Sequence, residues 1–475
     1  MLMNIVLSML LLVLLVFSLL IHQNDFLHPG VLAPAAFLFS SIMCFYGNNT
    51  WQAPIHANTV ALICLGVFLF IAGSSFGSVA SIANEDNVTT KLYASRLGMK
   101  PQPFLLFVIT ILCVGITALQ TSYVVQIART FTNSDTWTNL MWWYRQTTSY
   151  SVSEDDLSLP KWLNWARQLC NAFGYVYLLM GVAQFMARKY MRGILCFLPA
   201  IIMSMAAVLS AARMQILYYA AAAAAFYGIM SVVYSHKQKS QAKNNAIVMR
   251  LVIAFCAVLA IFSALRAVVG RGLSEKSASD PLYYISVYAG APIPLLDAYL
   301  QEDPERSPVF GMRTFFSLNN TIGRNFNIPD LQYIQHLEMR ESPTGFQLGN
   351  VYTAFRVYYS DFGIVGLALF TFLSALIFTA LYTWAVRSLA KGDPRALLVY
   401  GFLFPGVILM PIVERLFSVF LSPWAIETLI FILLIGQMML RPAKIRPHPI
   451  VKVAQNISSL HPPQKEPSLY GAHPF

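Results

Sequence analysis

The sequence predicts an all-α polytopic integral membrane protein, and three observations carry that prediction. Hydrophobic residues make up 57% of the 475 residues and charged residues only 11%, less than half the charged share of an ordinary soluble domain. Apolar runs long enough to cross a hydrocarbon core, about 20 residues each, recur along the chain. Between them, the lysines and arginines cluster in alternate loops, as membrane sidedness requires. A cytoplasmic enzyme is thereby excluded. The formal charge of +11 reads as cytoplasmic-loop lysine and arginine rather than a nucleic-acid surface, so no nucleic acid is expected as partner.

Spans are expected near 4–21, 30–46, 58–80, 103–124, 166–187, 193–211, 214–234, 248–269, 362–385, 395–413 and 418–440, about 11 transmembrane helices in all. The first lacks a basic leader and a small-residue cleavage site, so it is read as a retained span. The apolar run 193–234 is too long for one crossing. It must be two, with Arg213 at the hairpin between them. The short basic segments are 187–192 (Arg188, Lys189, Arg192), 235–250 (Lys237, Lys239, Lys243, Arg250) and 386–395 (Arg387, Lys391, Arg395). They alternate correctly when all are cytoplasmic, which places the C terminus inside and, with eleven spans, the N terminus outside. The chain then divides into helices 1–8 over 1–269, a large periplasmic loop over 270–361, helices 9–11 over 362–440, and a Pro-rich tail over 441–475 that lacks apolar periodicity and is expected to be disordered.

Loops of about ninety residues are usually functional. This one is too aromatic to be a linker. Segments 281–300 and 331–340 are expected as helices lying at or near the membrane face, and 307–330 as turns with aromatic anchors. The loop carries Arg271, Lys276, Arg306, Arg313, Arg324, Arg340 and Arg356, on the side that sidedness leaves poor in such residues. Arginine offers a rigid fork of donors that matches phosphate oxygens, so an external diphosphate site is one reading. Ordinary pairing with the loop's acids is the other. Before the next span, Asn350, Tyr352, Thr353, Arg356 and Asp361 bunch polar groups where they can line a cavity, although Asp361 also suits a helix N-cap and the tyrosines an interfacial belt. His336 is the loop's one histidine, suited to a general base or to an ordinary surface position.

The six cysteines fall in or beside apolar runs without metal-ligand spacing, so neither a disulfide nor a metal is expected. No P-loop, HExxH or GxSxG motif occurs, and no DxD-like nucleotide-sugar motif lies on the cytoplasmic side. No cofactor is expected. A substrate that brings its own leaving group fits these absences.

Three stretches resemble a known family: SAARMQIL (210–217), YISVYAGAPIPLLDAYL (284–300), and NVYT (350–353) followed by YSDFG (359–363). LHPGVLAPAAFLF (27–39) is similar to that family's entry to the second span. These segments resemble the bacterial O-antigen and capsule repeat-unit polymerases, the Wzy family of oligosaccharide repeat unit polymerases. The motifs are loose, and the span count with one late large loop extends the likeness over most of the chain. The resemblance implies a lipid-dependent glycosyltransferase of GT-C-like architecture in the bacterial inner membrane, with its active site facing the periplasm and a role in lipopolysaccharide or related polysaccharide biosynthesis. Donor and acceptor would both be undecaprenyl-diphosphate-linked oligosaccharides. The growing chain would pass to the non-reducing-end sugar of the incoming unit, and undecaprenyl diphosphate would leave without metal. A chain-length regulator and a flippase would be the protein partners. On that footing Arg213, Arg271, Arg313 and Arg356 would hold diphosphate, Asn350, Tyr352 and Thr353 the sugars, and Asp361, Asp280 or His336 would serve as base. An O-antigen ligase acting on lipid A–core is the nearest rival. A flippase, with its short loops and repeated halves, and a structural chain-length partner are further ones.

Overall fold

A computed structural model of the chain describes residues 2–82, 99, 101–150, 159–210, 212, 214–235, 241–264, 280–302, 306–333 and 338–440. Arg213, Arg271, His336 and the tail 441–475 lie outside the described residues. Within them the chain is helical almost throughout. Eight helices are long and apolar enough to cross a membrane: Leu2–Ile21, Pro29–Trp51, Ala57–Ser78, Pro103–Arg129, Lys161–Met186, Tyr190–Val208, Met214–Val233 and Ala354–Ala390. Three shorter apolar helices follow the remaining expected spans, Val248–Ala264, Arg395–Ile408 and Pro423–Met439.

The apolar residues divide between two surroundings. Lys161–Met186 is the central helix, with Tyr175, Val176, Tyr177 and Leu179 all fully or almost fully buried. Leu2–Ile21 is peripheral, and Met9, Val13 and Leu20 stand 62%, 64% and 70% exposed. Apolar exposure on that scale suits hydrocarbon and not water.

One end of the bundle gathers long connections. The turn after Pro29–Trp51 packs against the segment 281–301, which forms two helices, Pro281–Ala289 and Pro292–Gln301, rather than one. Pro292 and Pro294 supply no N–H to continue the first helix. Both helices are packed into the protein. Ser286, Ala291, Ile293, Leu295 and Leu296 are fully buried, and the Ser40 hydroxyl donates to the Ala289 carbonyl at 2.6 Å. A Cβ at Gly290 would collide with the backbone of Met43 and Cys44, so only glycine lets the two backbones meet there.

Two further expectations are corrected. Residues 331–340 do not make a helix over their described part: a 3-10 turn Pro329–Leu331 is followed by a strand, Arg340–Glu341, paired antiparallel with Gln347–Gly349. Thr344, in the connecting turn, donates to the Thr50 carbonyl at 2.8 Å, so the hairpin caps the end of a long helix. Conversely, 316–326, expected as turns, is a helix. Phe315, Leu318, Ile322 and Phe326 repeat at helical spacing, and the turn-forming Asn320 and Thr321 satisfy themselves on carbonyls of their own helix.

The last long helix begins at Ala354, eight residues before the expected entry, and breaks at Gly363, whose φ of 65° and ψ of −156° are not helical. The short segment before the break stays packed among the loops. At the opposite end, residues 22–28 are tied down by His22 to Ser74 (3.1 Å), His28 to Ser78 (3.0 Å) and Tyr382 to Asp25 (2.6 Å), with the two imidazoles stacked at 3.8 Å.

Candidate functional site

The site is built around the segment that precedes the Gly363 break. Tyr352 and Thr353 are extended, and the Ala354 N–H donates to the Met410 carbonyl at 2.9 Å, which pins the helix start to the 409–422 connection. This places Arg356 inside the protein, 2% exposed. Its guanidinium lies over two rings, 3.6 Å from the Tyr352 centroid and 4.3 Å from the Tyr299 centroid. Cation–π contact of this kind is worth about 2 kcal/mol or more when desolvated. It does not replace hydrogen bonds. Nε and Nη1 of Arg356 are buried and without partner, and no carboxylate among the described residues pairs with it.

Other cations stand close by in the same condition. Arg313 has a buried, unpartnered Nη1, and Arg340 a buried, unpartnered Nε. The rest of the Arg340 fork is engaged, with Nη1 donating to Glu302 at 2.6 Å and Nη2 to Glu338 at 2.7 Å. Burial pushes the Tyr299 phenol up, while the charges of Arg313 and Arg356 pull it down. Tyr352 is likewise raised by burial and opposed by Arg356 and Arg340. The two rings therefore stand between three arginines. Two hydroxyls beside them, Thr314 Oγ1 and Thr353 Oγ1, are also buried without partner.

Buried polar groups in folded proteins are nearly always hydrogen-bonded, and a donor left unpaired costs about 1–3 kcal/mol, more when charged. Several such donors on neighbouring arginines are of the kind that an anion with multiple acceptor oxygens would satisfy. Arginine forks bind phosphate and carboxylate in paired fashion.

The structure separates the residues singled out in the sequence. Arg313, Tyr352, Thr353 and Arg356 come together. The Tyr352 ring is occupied by Arg356 and is not free for a sugar. Asn350 is half-buried on the approach to them. Asp361 is spent on the backbone, accepting from the N–H groups of Arg313 at 3.0 Å and Thr314 at 2.7 Å. It thereby holds the Arg313 turn instead of capping the helix that follows it. Asp280 caps Pro281–Ala289 through Leu282 and Tyr283 and accepts from the Tyr46 hydroxyl at 2.8 Å.

Two contributors were not singled out. Tyr299 lies within the 284–300 stretch that carries the family resemblance but was not itself picked out as a site residue. Arg415 had one, since the short 413–417 turn is an expected external connection. Its Nε is buried and unpartnered, and its guanidinium lies 5.4 Å from the Tyr218 ring. Beside it the buried Glu414 accepts from the Ser418 N–H at 2.7 Å and the Tyr358 hydroxyl at 3.1 Å, tying this turn to the Arg356 helix. No family model matches the sequence, and no curated protein or solved structure matches it either.

Proposed function

We propose that the protein is a lipid-dependent glycosyltransferase that polymerises oligosaccharide repeat units, as its resemblance to the Wzy family implies. The growing chain passes from undecaprenyl diphosphate to the non-reducing-end sugar of the incoming lipid-linked unit. The observation that carries this reading is Arg356, a buried cation held between two tyrosines with donors left over for an anion. With the three shorter apolar helices counted as crossings, the loop-charge rule supports a reading in which the arginine end of the bundle faces the periplasm and the basic loops the cytoplasm.

The chemistry follows from that placement. Breaking the glycosidic bond to a diphosphate leaves negative charge on the phosphate oxygens. Arginines fixed beforehand at that position stabilise the charge as it develops and need no rearrangement. The leaving group arrives already activated, so no nucleotide is required. The lipid tail lies in the membrane beside the break at Gly363, and the sugars extend over the loops.

The test is a gel of the surface glycan from a strain deleted for this gene, with and without a plasmid copy. Collapse of the ladder to lipid A–core plus a single repeat unit, restored by the plasmid, is expected. Absence of any repeat unit on the core would replace the polymerase by a ligase or flippase, and long chains left on undecaprenyl diphosphate would single out the ligase.

A further inference from the structure

We infer that Arg415 and Arg167 form a second anion site, separate from the Arg356 cluster, and that it takes the diphosphate of the incoming acceptor lipid. The inference rests on the function proposed above. Transfer from one lipid diphosphate to a sugar carried on another requires both lipids at once, and the Arg356 cluster accounts for one diphosphate. The acceptor reacts at the far end of its oligosaccharide, so its own diphosphate has to be held away from the donor's.

Arg415 stands in the turn 413–417, which its neighbours hold in place. Glu414 is 2% exposed and accepts from the N–H groups of Phe417 at 2.9 Å and Ser418 at 2.7 Å and from the Tyr358 hydroxyl at 3.1 Å. The carboxylate next to Arg415 in sequence is thus spent elsewhere. The Arg415 side chain makes no hydrogen bond or ion pair among the described residues, and its Nε is buried. The residue as a whole is only half-buried, so the end of the fork is reachable. The guanidinium lies 5.4 Å from the Tyr218 ring, within range of a cation–π contact, which positions the cation and uses none of its N–H groups.

The polar side chains on the neighbouring spans satisfy one another. The Tyr219 hydroxyl donates to the Asn171 carbonyl at 3.1 Å, the Asn171 amide to Gln168 Oε1 at 3.3 Å, and the Thr428 hydroxyl to the same Gln168 oxygen at 2.9 Å. Arg167 is left out of this network. It stands one helical turn before Asn171, on the same face of Lys161–Met186, is half-buried, and makes no hydrogen bond or ion pair among the described residues. It lies about 9 Å along the helix from Lys161, and Arg415 precedes the helix Pro423–Met439. In the proposed topology both arginines therefore sit at the level of the outer headgroups. An anion carried on a lipid tail reaches that level sideways from the bilayer. Cations at such a depth are costly and mark ligand sites, and arginine forks match the oxygens of a diphosphate.

The two sites are distinct. Arg356 lies against Tyr299 and Tyr352, whereas Arg415 lies against Tyr218. The buried Tyr358–Glu414 bond joins the Arg356 helix to the Arg415 turn and stands between them. Neither site has to reach into the other. The second has fewer buried unpartnered donors, so it is the weaker and fills after the first.

Binding of undecaprenyl diphosphate to the purified full-length protein in phosphatidylcholine nanodiscs tests this, with stoichiometry and affinity read by native mass spectrometry. The wild type is expected to take up two ligands in succession. Arg415→Gln and Arg167→Gln should each weaken the second event by more than 10-fold and leave the first unchanged, and the surviving first event reports that each variant is folded. Arg356→Gln should weaken the first. A wild type that binds a single ligand, or Arg415→Gln and Arg167→Gln variants that bind two as the wild type does, overturns the inference and leaves the polymerase reading intact. Loss of both events in a variant that unfolds at the wild-type temperature would merge the two clusters into one site and overturns it as well. The same titration in nanodiscs containing phosphatidylglycerol separates the acceptor from an ordinary lipid headgroup. Persistence of the second event supports the acceptor, and its displacement by phosphatidylglycerol overturns that assignment. A wild type that binds no undecaprenyl diphosphate overturns the proposed function and the second site with it.

Discussion

Arg356 and Asp361 stand five residues apart in one short helical segment and do opposite things with their charges. Asp361 has two backbone N–H partners, whereas the guanidinium of Arg356 keeps buried Nε and Nη1 donors free. Substitution should separate them. Arg356→Gln is expected to abolish chain elongation while the protein still inserts normally, and Arg356→Lys should fail nearly as badly, since an ammonium neither stacks on Tyr352 and Tyr299 in the same way nor offers a fork. The readout is the surface-glycan ladder at matched membrane levels. Asp361→Asn should instead lower thermal stability by about 1–3 kcal/mol and reduce elongation only in proportion to folded protein. Arginine enrichment on the expected outer side was legible from sequence, and so were Arg313 and Arg356 as members of it. Their division of labour with the acids was not, because a carboxylate's partners here are backbone groups about fifty residues away, and backbone partners leave no trace in residue type.

At the scale of elements, apolar length located every long helix, most of them within five residues at each end, although the last begins eight residues before its expected entry. The large loop was read less well. One of its helices, Phe316–Phe326, is rich in Asn and Thr, residues that favour turns until their side chains find carbonyls within the helix. The described residues of 331–340 are not helical, and Arg340 enters a hairpin that docks on Thr50, a tertiary contact that no local pattern contains. The break at Gly363 sits in a backbone region essentially restricted to glycine, so Gly363→Ala should cost about 1–3 kcal/mol, visible as a lower unfolding temperature in detergent. The opposite end of the bundle makes a prediction about pH. Burial pushes the His22 imidazole down to about 4, and burial with the neighbouring His22 pushes His28 down to about 3. In the unfolded chain both titrate near 6.5, so between pH 6.5 and about 4 the unfolded state binds more protons and stability falls as the pH is lowered. Unfolding temperature measured from pH 7.5 to 5 should show that slope, and His22→Gln combined with His28→Gln should flatten it.

For the whole molecule, the proposed function requires the arginine site to face the periplasm. The proposed eleven-span topology predicts Thr344 outside and Lys391 inside. A cysteine introduced as Thr344→Cys should react with an impermeant maleimide on intact spheroplasts, and one introduced as Lys391→Cys only after permeabilisation. The same side for both would remove the periplasmic site. Composition and loop charge sufficed to read a polytopic helical bundle, since each span is a local property. The meeting of three connections at one end, 52–56, the large loop and 409–422, was not legible. It depends on which helices pack together, and apolar spans of similar length look alike in sequence. The most direct test of the central claim is binding of undecaprenyl diphosphate to the purified protein in nanodiscs, comparing the wild type with Arg356→Gln and with Arg192→Gln, a change at an exposed arginine of the opposite end. The expected result is saturable binding that weakens by more than 10-fold, about 1.4 kcal/mol, in Arg356→Gln and is unchanged in Arg192→Gln. Equal binding by all three proteins would contradict an arginine-held diphosphate.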